Sequence, residues 1–359
     1  MLFRQYIHPM LSFSIFMLLY TLVVATNTND TQCYVVSPPS SPHQVSTLRI
    51  MQYNVEWFFL KTYNGCPGSS CSWPNLAAAT THMDYIADVI KTYNPDILNL
   101  CEVEGCYELG QLNGLLGGSY TPYLLFGTDT STGQNVGVLT KYSPSASLQR
   151  TSATHTYPVK ESQCNYTGSG SSGVSKHYYT TYQFNDMNIH FIGAHLLAIP
   201  TEPSRCASRE AQASVLQQLI IELLGGIDPK TGKVVLNANV GLILAGDMND
   251  FDAEIADSNN NQPTSMVLDI LKGLAGDYAF AYELTSVAES VSQANRYTDW
   301  WDPNGDCKST PNEMSMIDHV LITPNLKDKV ASVMMPHTYT EACGTYNSDH
   351  YPIIVDLVM

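Results

Sequence analysis

Apolar and polar positions change period several times along this chain. Leu48–Asn54 (LRIMQYN) alternates in the way of a half-buried strand. Asn75–Tyr93 carries Met83, Ile86, Ala87 and Ile90 on one stripe and is closed by Asn94-Pro95, which predicts a helix. Asp96–Cys101 (DILNLC) and Asn135–Thr140 (NVGVLT) read as short buried strands, the second followed by the breaker Ser143-Pro144. Gly168–Ser175, rich in Gly and Ser, reads as a surface loop. Beyond it Tyr178–Phe184 and Asn188–Ala194 predict a hairpin turning at Asn185-Asp186.

Ser208–Leu224 predicts a second helix, with Leu216, Leu219, Ile220 and Leu223 inward and Gly225 ending it. Val240–Gly246 (VGLILAG) is apolar throughout, as expected of a strand covered on both faces. A helix over Gln262–Leu274 and strands over Ser315–Thr323, Val330–Met335 and Tyr351–Val358 complete the pattern. Strands and helices interleave, with no fixed-period repeat and no linker inside 46–359. One α/β domain over 46–359 is the simplest reading.

The first 25 residues read as an address rather than as fold. Arg4 precedes the apolar run Met10–Ala25, which is shorter than the ~20 residues that span a bilayer and carries Ser12, Ser14 and Thr21. Val23 and Ala25 fit the small-residue rule before a cleavage point, so 1–25 is expected to be a signal peptide. Residues 26–45, with Pro38, Pro39 and Pro42 among serines, are expected to be an extended lead-in. The expected location is outside the cell or in an endomembrane lumen, and sequons at Asn29 and Asn165 suit that route. Nine cysteines in such a compartment should mostly pair, and the odd count leaves at least one over. Cys66 with Cys71 and Cys164 with Cys206 are the expected pairs. No spacing matches a structural zinc site.

Charge narrows the chemistry. With 17 Lys+Arg against 33 Asp+Glu the formal charge is −16, which excludes a broad basic face for holding nucleic acid. An enzyme that meets a polyanion through a bound cation remains open.

Six clusters follow apolar runs directly, where α/β sheets present their sites. They are Asn54-Val55-Glu56, Cys101-Glu102, Ala194-His195, Asp247-Met248-Asn249-Asp250, Asp318-His319 and Ser348-Asp349-His350. Carboxylates and amides with little sulfur suit a hard divalent cation, and the imidazoles suit acid–base work. No nucleophile elbow, Walker loop or dinucleotide fingerprint stands in the right context.

The ordered set QYNVEWF, LNLCEVEG, NVGVLTKYS, GAHL, LAGDMND, MIDHVLI and SDHYPIIV resembles the endonuclease/exonuclease/phosphatase superfamily, deoxyribonuclease I-like enzymes among them. The resemblance runs from about Leu48 to Val358. It implies a four-layer α/β/β/α sandwich of two packed, mainly antiparallel sheets. It implies Glu102 as principal metal ligand, with Asp349 and Asn54 beside the metal. Asp247 and Asn249 would orient the water and bind the phosphoryl group. His350, held by Asp318, would act as general base or phosphate clamp, and His195 would be the general acid.

The expected cofactor is Mg²⁺, with Mn²⁺ or Ca²⁺ as alternatives. Nucleic acid is the favoured substrate, with Lys141, Arg296 and Trp300 as further contacts. A phospholipid such as sphingomyelin is the alternative substrate, and an inactive binding protein on the same scaffold the third reading. Glu56, His319 and Asp250 stand beside motif positions and are weighed evenly between site and turn.

Overall fold

Where the pattern alternates, the chain pairs. The computed structural model describes residues 32–61, 71–199, 201–306, 308, 310–339 and 346–359, so the expected signal peptide lies outside the described residues. Seven strands form one sheet, in the order Gln32–Cys33 (β1), Thr121–Leu125 (β4), Asn135–Thr140 (β5), Ile97–Val103 (β3), Thr47–Phe58 (β2), Ile353–Val358 (β18), Val330–Met334 (β17). Five form the second, in the order Thr285–Ser286 (β13), Asp318–Ile322 (β16), Val240–Asp247 (β12), Met187–His195 (β9), Lys176–Phe184 (β8). β2 runs parallel to β3, and β9 to β12; the other neighbours in the two sheets are antiparallel. Three ribbons decorate them: His155–Tyr157 (β6) with Gly170–Ser172 (β7), Ile227–Asp228 (β10) with Lys233–Val234 (β11), and Asp299–Trp300 (β14) with Met314–Ser315 (β15).

Side-chain alternation explains why the sheets stack. Ile50, Val136, Tyr182, Phe191, Ile243, Val320 and Val355 fill one cluster between the sheets. From β2, Met51, Tyr53 and Val55 point the other way, onto Met83, Ile86 and Ile90 of the helix Leu76–Tyr93 (α1). From β12, Leu242 and Leu244 meet Leu216 and Ile220 of the helix Pro203–Leu223 (α3) and Val267 and Leu271 of Val267–Lys272 (α4). Three apolar layers thus separate helix, sheet, sheet and helix. This is the expected four-layer sandwich.

Local chemistry sets the helix ends. The Asn75 side chain accepts the Ala78 N–H, and Asn94 ends α1 in a left-handed conformation (φ 48°) before Pro95. α3 begins five residues earlier than expected because Glu202 caps it and Pro203 supplies its first turn. The expected helix over Gln262–Leu274 shrinks to α4, because the Asp250 carboxylate takes the Thr264 N–H and the Ser265 hydroxyl and holds that stretch irregular. Part of the expected surface loop Gly168–Ser175 pairs as β7. The helix Cys106–Leu115 (α2) carries no clear apolar stripe in the sequence, since Gly110 and Gly114 dilute its pattern.

Cys164 and Cys206 pair as expected, and Cys33 pairs with Cys106, which ties the lead-in to α2. Cys101 is free and buried. Cys66 lies outside the described residues, and so therefore does its expected bond to Cys71.

Candidate active site

At one end of the inter-sheet layer the apolar filling gives way to polar side chains. β12 ends at Asp247, which stands in register with His195 of β9 on one side and Asp318 of β16 on the other. From the facing sheet β2 turns Gln52 and Asn54 inward, both fully buried. The Asn54 Nδ2 bridges the sheets: it lies 3.1 Å from Asp247 Oδ2, 3.4 Å from Glu102 Oε1 and 3.3 Å from His350 Nε2. A bulge after Asn54 puts Glu56 and Trp57 at positive φ, and Glu102 stands at φ 67°. Such strain in non-glycine residues is stored where function demands it. Here it lets the Trp57 N–H donate to Glu102 Oε2 at 2.9 Å.

A buried relay fixes the second imidazole. Tyr178 donates to Asn99 Oδ1, Asn99 Nδ2 to Gln52 Oε1, and Gln52 Nε2 to Asp318 Oδ1 at 3.0 Å. The other oxygen of Asp318 faces His350 Nδ1 at 2.7 Å. Ser348 donates to the Asn54 carbonyl and accepts the His350 N–H, tying this loop to β2. Asp299 and Asp349 lie 3.7 and 3.8 Å from His350 Nε2. On the far side His195 Nε2 is 3.6 Å from Asp247 Oδ2, and the Asn249 side chain is pinned by donating to the Leu196 carbonyl.

The electrostatics follow from crowding. Burial, then the nearby Glu102, raises Glu56 to about 7. Burial and Asp318 raise Asp247 to about 8. Burial and then Glu56 push Asp349 well above the carboxylate range. Burial opposes charge on His350 too, but Asp318, Asp349 and Asp299 outweigh it and hold the ring protonated. Burial, Lys176 and His350 push His195 the other way, well below its ordinary value, and keep it neutral. Asp349 Oδ1 is buried with no hydrogen-bond partner. An orphaned carboxylate oxygen among mutually repelling carboxylates, all oxygen donors, fits a hard divalent cation. Among the described residues the donor atoms of Asp299, Asp349 and His350 lie within 4.8 Å of one another, as do those of Asp247, Asp318 and His350. The charges of Glu56 and Glu102 act on Asp349, so these are the groups that could hold it.

The model of the Endonuclease/Exonuclease/phosphatase family matches residues 51–350. The chain belongs to that family. Solved structures with this fold include the humanized TDP2 of D. rerio, 14% identical at a TM-score of 0.50, with 88% of this chain and 100% of that one covered. An endonuclease/exonuclease/phosphatase from Beutenbergia cavernae is 18% identical at 0.50, with 88% and 72% covered. Truncated TDP2 of Caenorhabditis elegans is 16% identical at 0.50, with 87% and 98% covered. At these identities the likeness establishes the fold. No curated protein matches the sequence. Enzymes of the endonuclease/exonuclease/phosphatase family are phosphoester hydrolases, and the chain has their fold.

Of the residues singled out in sequence, Asn54, Glu102, His195, Asp247, Asn249, Asp318, Asp349 and His350 come together in this family member. Three do not. Lys141 follows β5, whose antiparallel pairing with β3 sets Thr140 opposite Ile97, at the end of the strand away from Glu102; its ammonium pairs with Asp96. Arg296 spends its guanidinium on the carbonyls of Ala256, Ala288 and Val291 and braces a loop. Trp300 is 2% exposed and donates its indole N–H to Glu313, so no base can stack on it. Its neighbour Asp299 is the group of that segment that reaches His350, and no local pattern marks it.

Glu56 belongs to the site, accepting the Asp349 N–H at 3.1 Å. Asp250 and His319 do not: Asp250 organises Thr264 and Ser265, and His319 donates to the Asp250 carbonyl.

Proposed function

We propose that the chain is a secreted, divalent-metal-dependent phosphodiesterase whose preferred substrate is nucleic acid, DNA or RNA. The observation that carries the reading is the meeting of Glu102, Asp247 and His350 around one amide, that of Asn54. These groups come from opposite sheets and from positions some 250 residues apart, and no structural need of the sandwich explains their convergence. When bound, Mg²⁺, or Mn²⁺ or Ca²⁺ in its place, supplies charge stabilisation on the phosphoryl oxygens.

The chain's own groups account for the rest. Asp247, raised to about 8, accepts the proton of a water that attacks in line, and the pinned Asn249 amide orients the phosphoryl group. The protonated His350 clamps a non-bridging oxygen, which favours the clamp over the general-base role. The resemblance implies a general acid at His195, but a ring held neutral donates a hydrogen bond to the leaving oxygen rather than a proton. Trp301, 67% exposed and two residues from Asp299, offers an aromatic face beside the cleft. That face supports a nucleic-acid substrate.

Secretion is supported by the leading apolar segment and by the disulfides Cys33–Cys106 and Cys164–Cys206 among the described residues, which suit an oxidising compartment. Among the described residues no helix is long and apolar enough to cross a membrane.

The test is the purified chain with Mg²⁺, Mn²⁺ or Ca²⁺ against plasmid DNA, RNA, sphingomyelin and an inositol polyphosphate. Nicking of plasmid or RNA that chelator and Asp247→Ala both abolish is the expected result. Turnover of lipid alone reassigns the substrate, and inertness of a folded chain towards all four refutes the enzyme.

A further inference from the structure

A second feature lies beside the cleft on the His195 side. Arg150 is enclosed by carbonyl oxygens: its Nε donates to His177, its Nη1 to Phe126, and its Nη2 to Val174 and Ser175, at 2.6–3.1 Å. Burial is the influence that acts on this guanidinium, and no acidic group among the described residues offsets its charge. Carbonyl dipoles solvate a cation without neutralising it. Its field reaches the buried His177, which burial and Arg150 together hold down at about 4.

The same Arg150 lines a cavity of about 340 Å³ together with Thr128, Thr151, Ser152, Thr154 and Gly173. Ala153 and Val174 complete the lining, which is made of hydroxyls, backbone, one cation and two small apolar side chains, without a carboxylate. At about 30 Å³ per water, that volume admits a phosphoryl group with part of its hydration shell.

Its position ties it to the cleft. Val174 and Ser175 lead directly into β8, whose first residue, Lys176, pairs with His195. Val174 stands two residues before that pair, which bounds the separation along the chain at about 7 Å. Gly173 accepts a hydrogen bond from Gln212, and Gln212 in turn accepts the N–H of Leu197, two residues past His195. The cavity and the leaving-group side of the cleft therefore share one rigid frame.

We propose that this cavity is an anion subsite that takes the phosphate next to the scissile one, so that the enzyme prefers a strand with successive phosphates over an isolated phosphodiester. The proposal rests on the phosphodiesterase reading above. It assigns Arg150 two tasks, clamping four carbonyls and leaving to the cavity it lines a charge that those carbonyls do not neutralise, in a chain whose formal charge is −16.

The test compares wild type with Arg150→Lys, Arg150→Met and Thr154→Glu, on a tetranucleotide and on bis(4-nitrophenyl) phosphate, which carries one phosphate. The readout is the ratio of kcat/KM for the two substrates. Thr154 is exposed at the mouth, so its replacement leaves the guanidinium clamp intact if Arg150→Met fails to fold. The ratio is expected to fall about tenfold in Thr154→Glu and Arg150→Met and to stay within about threefold in Arg150→Lys. An unchanged ratio in Thr154→Glu, or an equal loss on both substrates, overturns the proposal.

If wild type cleaves neither substrate, the phosphodiesterase reading fails instead, and tetranucleotide binding under chelator decides the subsite. A salt slope shallower by about 0.7 in Thr154→Glu supports it, and an unchanged slope overturns it. Inorganic phosphate is the control for the other source of this chemistry. Saturable phosphate binding with no preference for the tetranucleotide overturns the assignment to a flanking phosphate.

Discussion

Asp318→Asn changes one charge and no shape, and so isolates what holds His350 protonated. In the wild type Asp318 gives one oxygen to His350 Nδ1 at 2.7 Å and the other to Gln52 Nε2 at 3.0 Å, with its side chain fully buried. A hydrogen bond between charged partners is worth about 1.5–3 kcal/mol, about 10- to 150-fold in an equilibrium. Losing a preorganised charged donor at the phosphoryl group costs roughly 10²–10³ in rate. Stability suffers less: Asn keeps one acceptor for His350 but opposes its own N–H₂ to that of Gln52, about 1–3 kcal/mol.

The pH dependence is the sharper signature. The folded value of His350 lies above its unfolded one, so its contribution is full below the unfolded value and is lost as pH rises through the folded value. Without Asp318 the folded value drops, and the basic limb of activity must move to lower pH. The assay is kcat/KM against pH on a chromogenic diester, with Tm measured in parallel. A loss under about tenfold, with the basic limb unmoved in a folded variant, would refute the reasoning.

Other outcomes follow from the same geometry. Glu102→Gln is expected to cut activity by at least about 10² and to weaken Mg²⁺ binding in calorimetry, because it removes a carboxylate that faces Asn54 Nδ2 at 3.4 Å and whose charge acts on Glu56. Arg296→Met should lower Tm through about 1–3 kcal/mol of unpaired carbonyls while leaving KM unchanged, the reverse of what a phosphate contact would give. Burial alone would raise Asp252, but the hydrogen bond and charge of buried Lys272, with His319 and the Glu254 N–H, together outweigh it and hold it below its usual value. That contribution is present above the unfolded carboxylate value and lost as pH falls through the folded one, so Asp252→Asn should flatten the acid limb of urea-unfolding stability.

Much of this architecture was legible because single-strand patterns carried it. Val240–Gly246 is apolar on both faces since Leu242 and Leu244 meet helices while Ile243 and Ala245 meet the other sheet. Asn75 and Asn94-Pro95 mark the ends of α1 through capping chemistry that local sequence encodes. Four of the clusters after apolar runs were legible because β2 with β3 and β9 with β12 run parallel and end together. Asp318, by contrast, opens β16 and His350 precedes β18, antiparallel strands that start at that side. What was not legible depends on pairing. Lys141 follows an apolar strand as Glu102 does, but β5 runs antiparallel to β3, which sends it to the opposite end.

In the Asp299–Trp300 ribbon a shift of one residue exchanges faces, so the acid reaches His350 while the aromatic goes inward. α3 buries Arg209, Glu210, Gln212 and Gln217, so its first half lacks the polar stripe that marks a surface helix.

The central claim is a single divalent cation seated between the two sheets. Crystals equilibrated with Mn²⁺ and measured at its absorption edge test it without any assumption about substrate. The account predicts one anomalous peak within coordination distance of Glu102 and Asp349, lost in Glu102→Gln. A peak confined to the surface acids Asp302, Asp306 and Glu313, with none at Glu102, would contradict it.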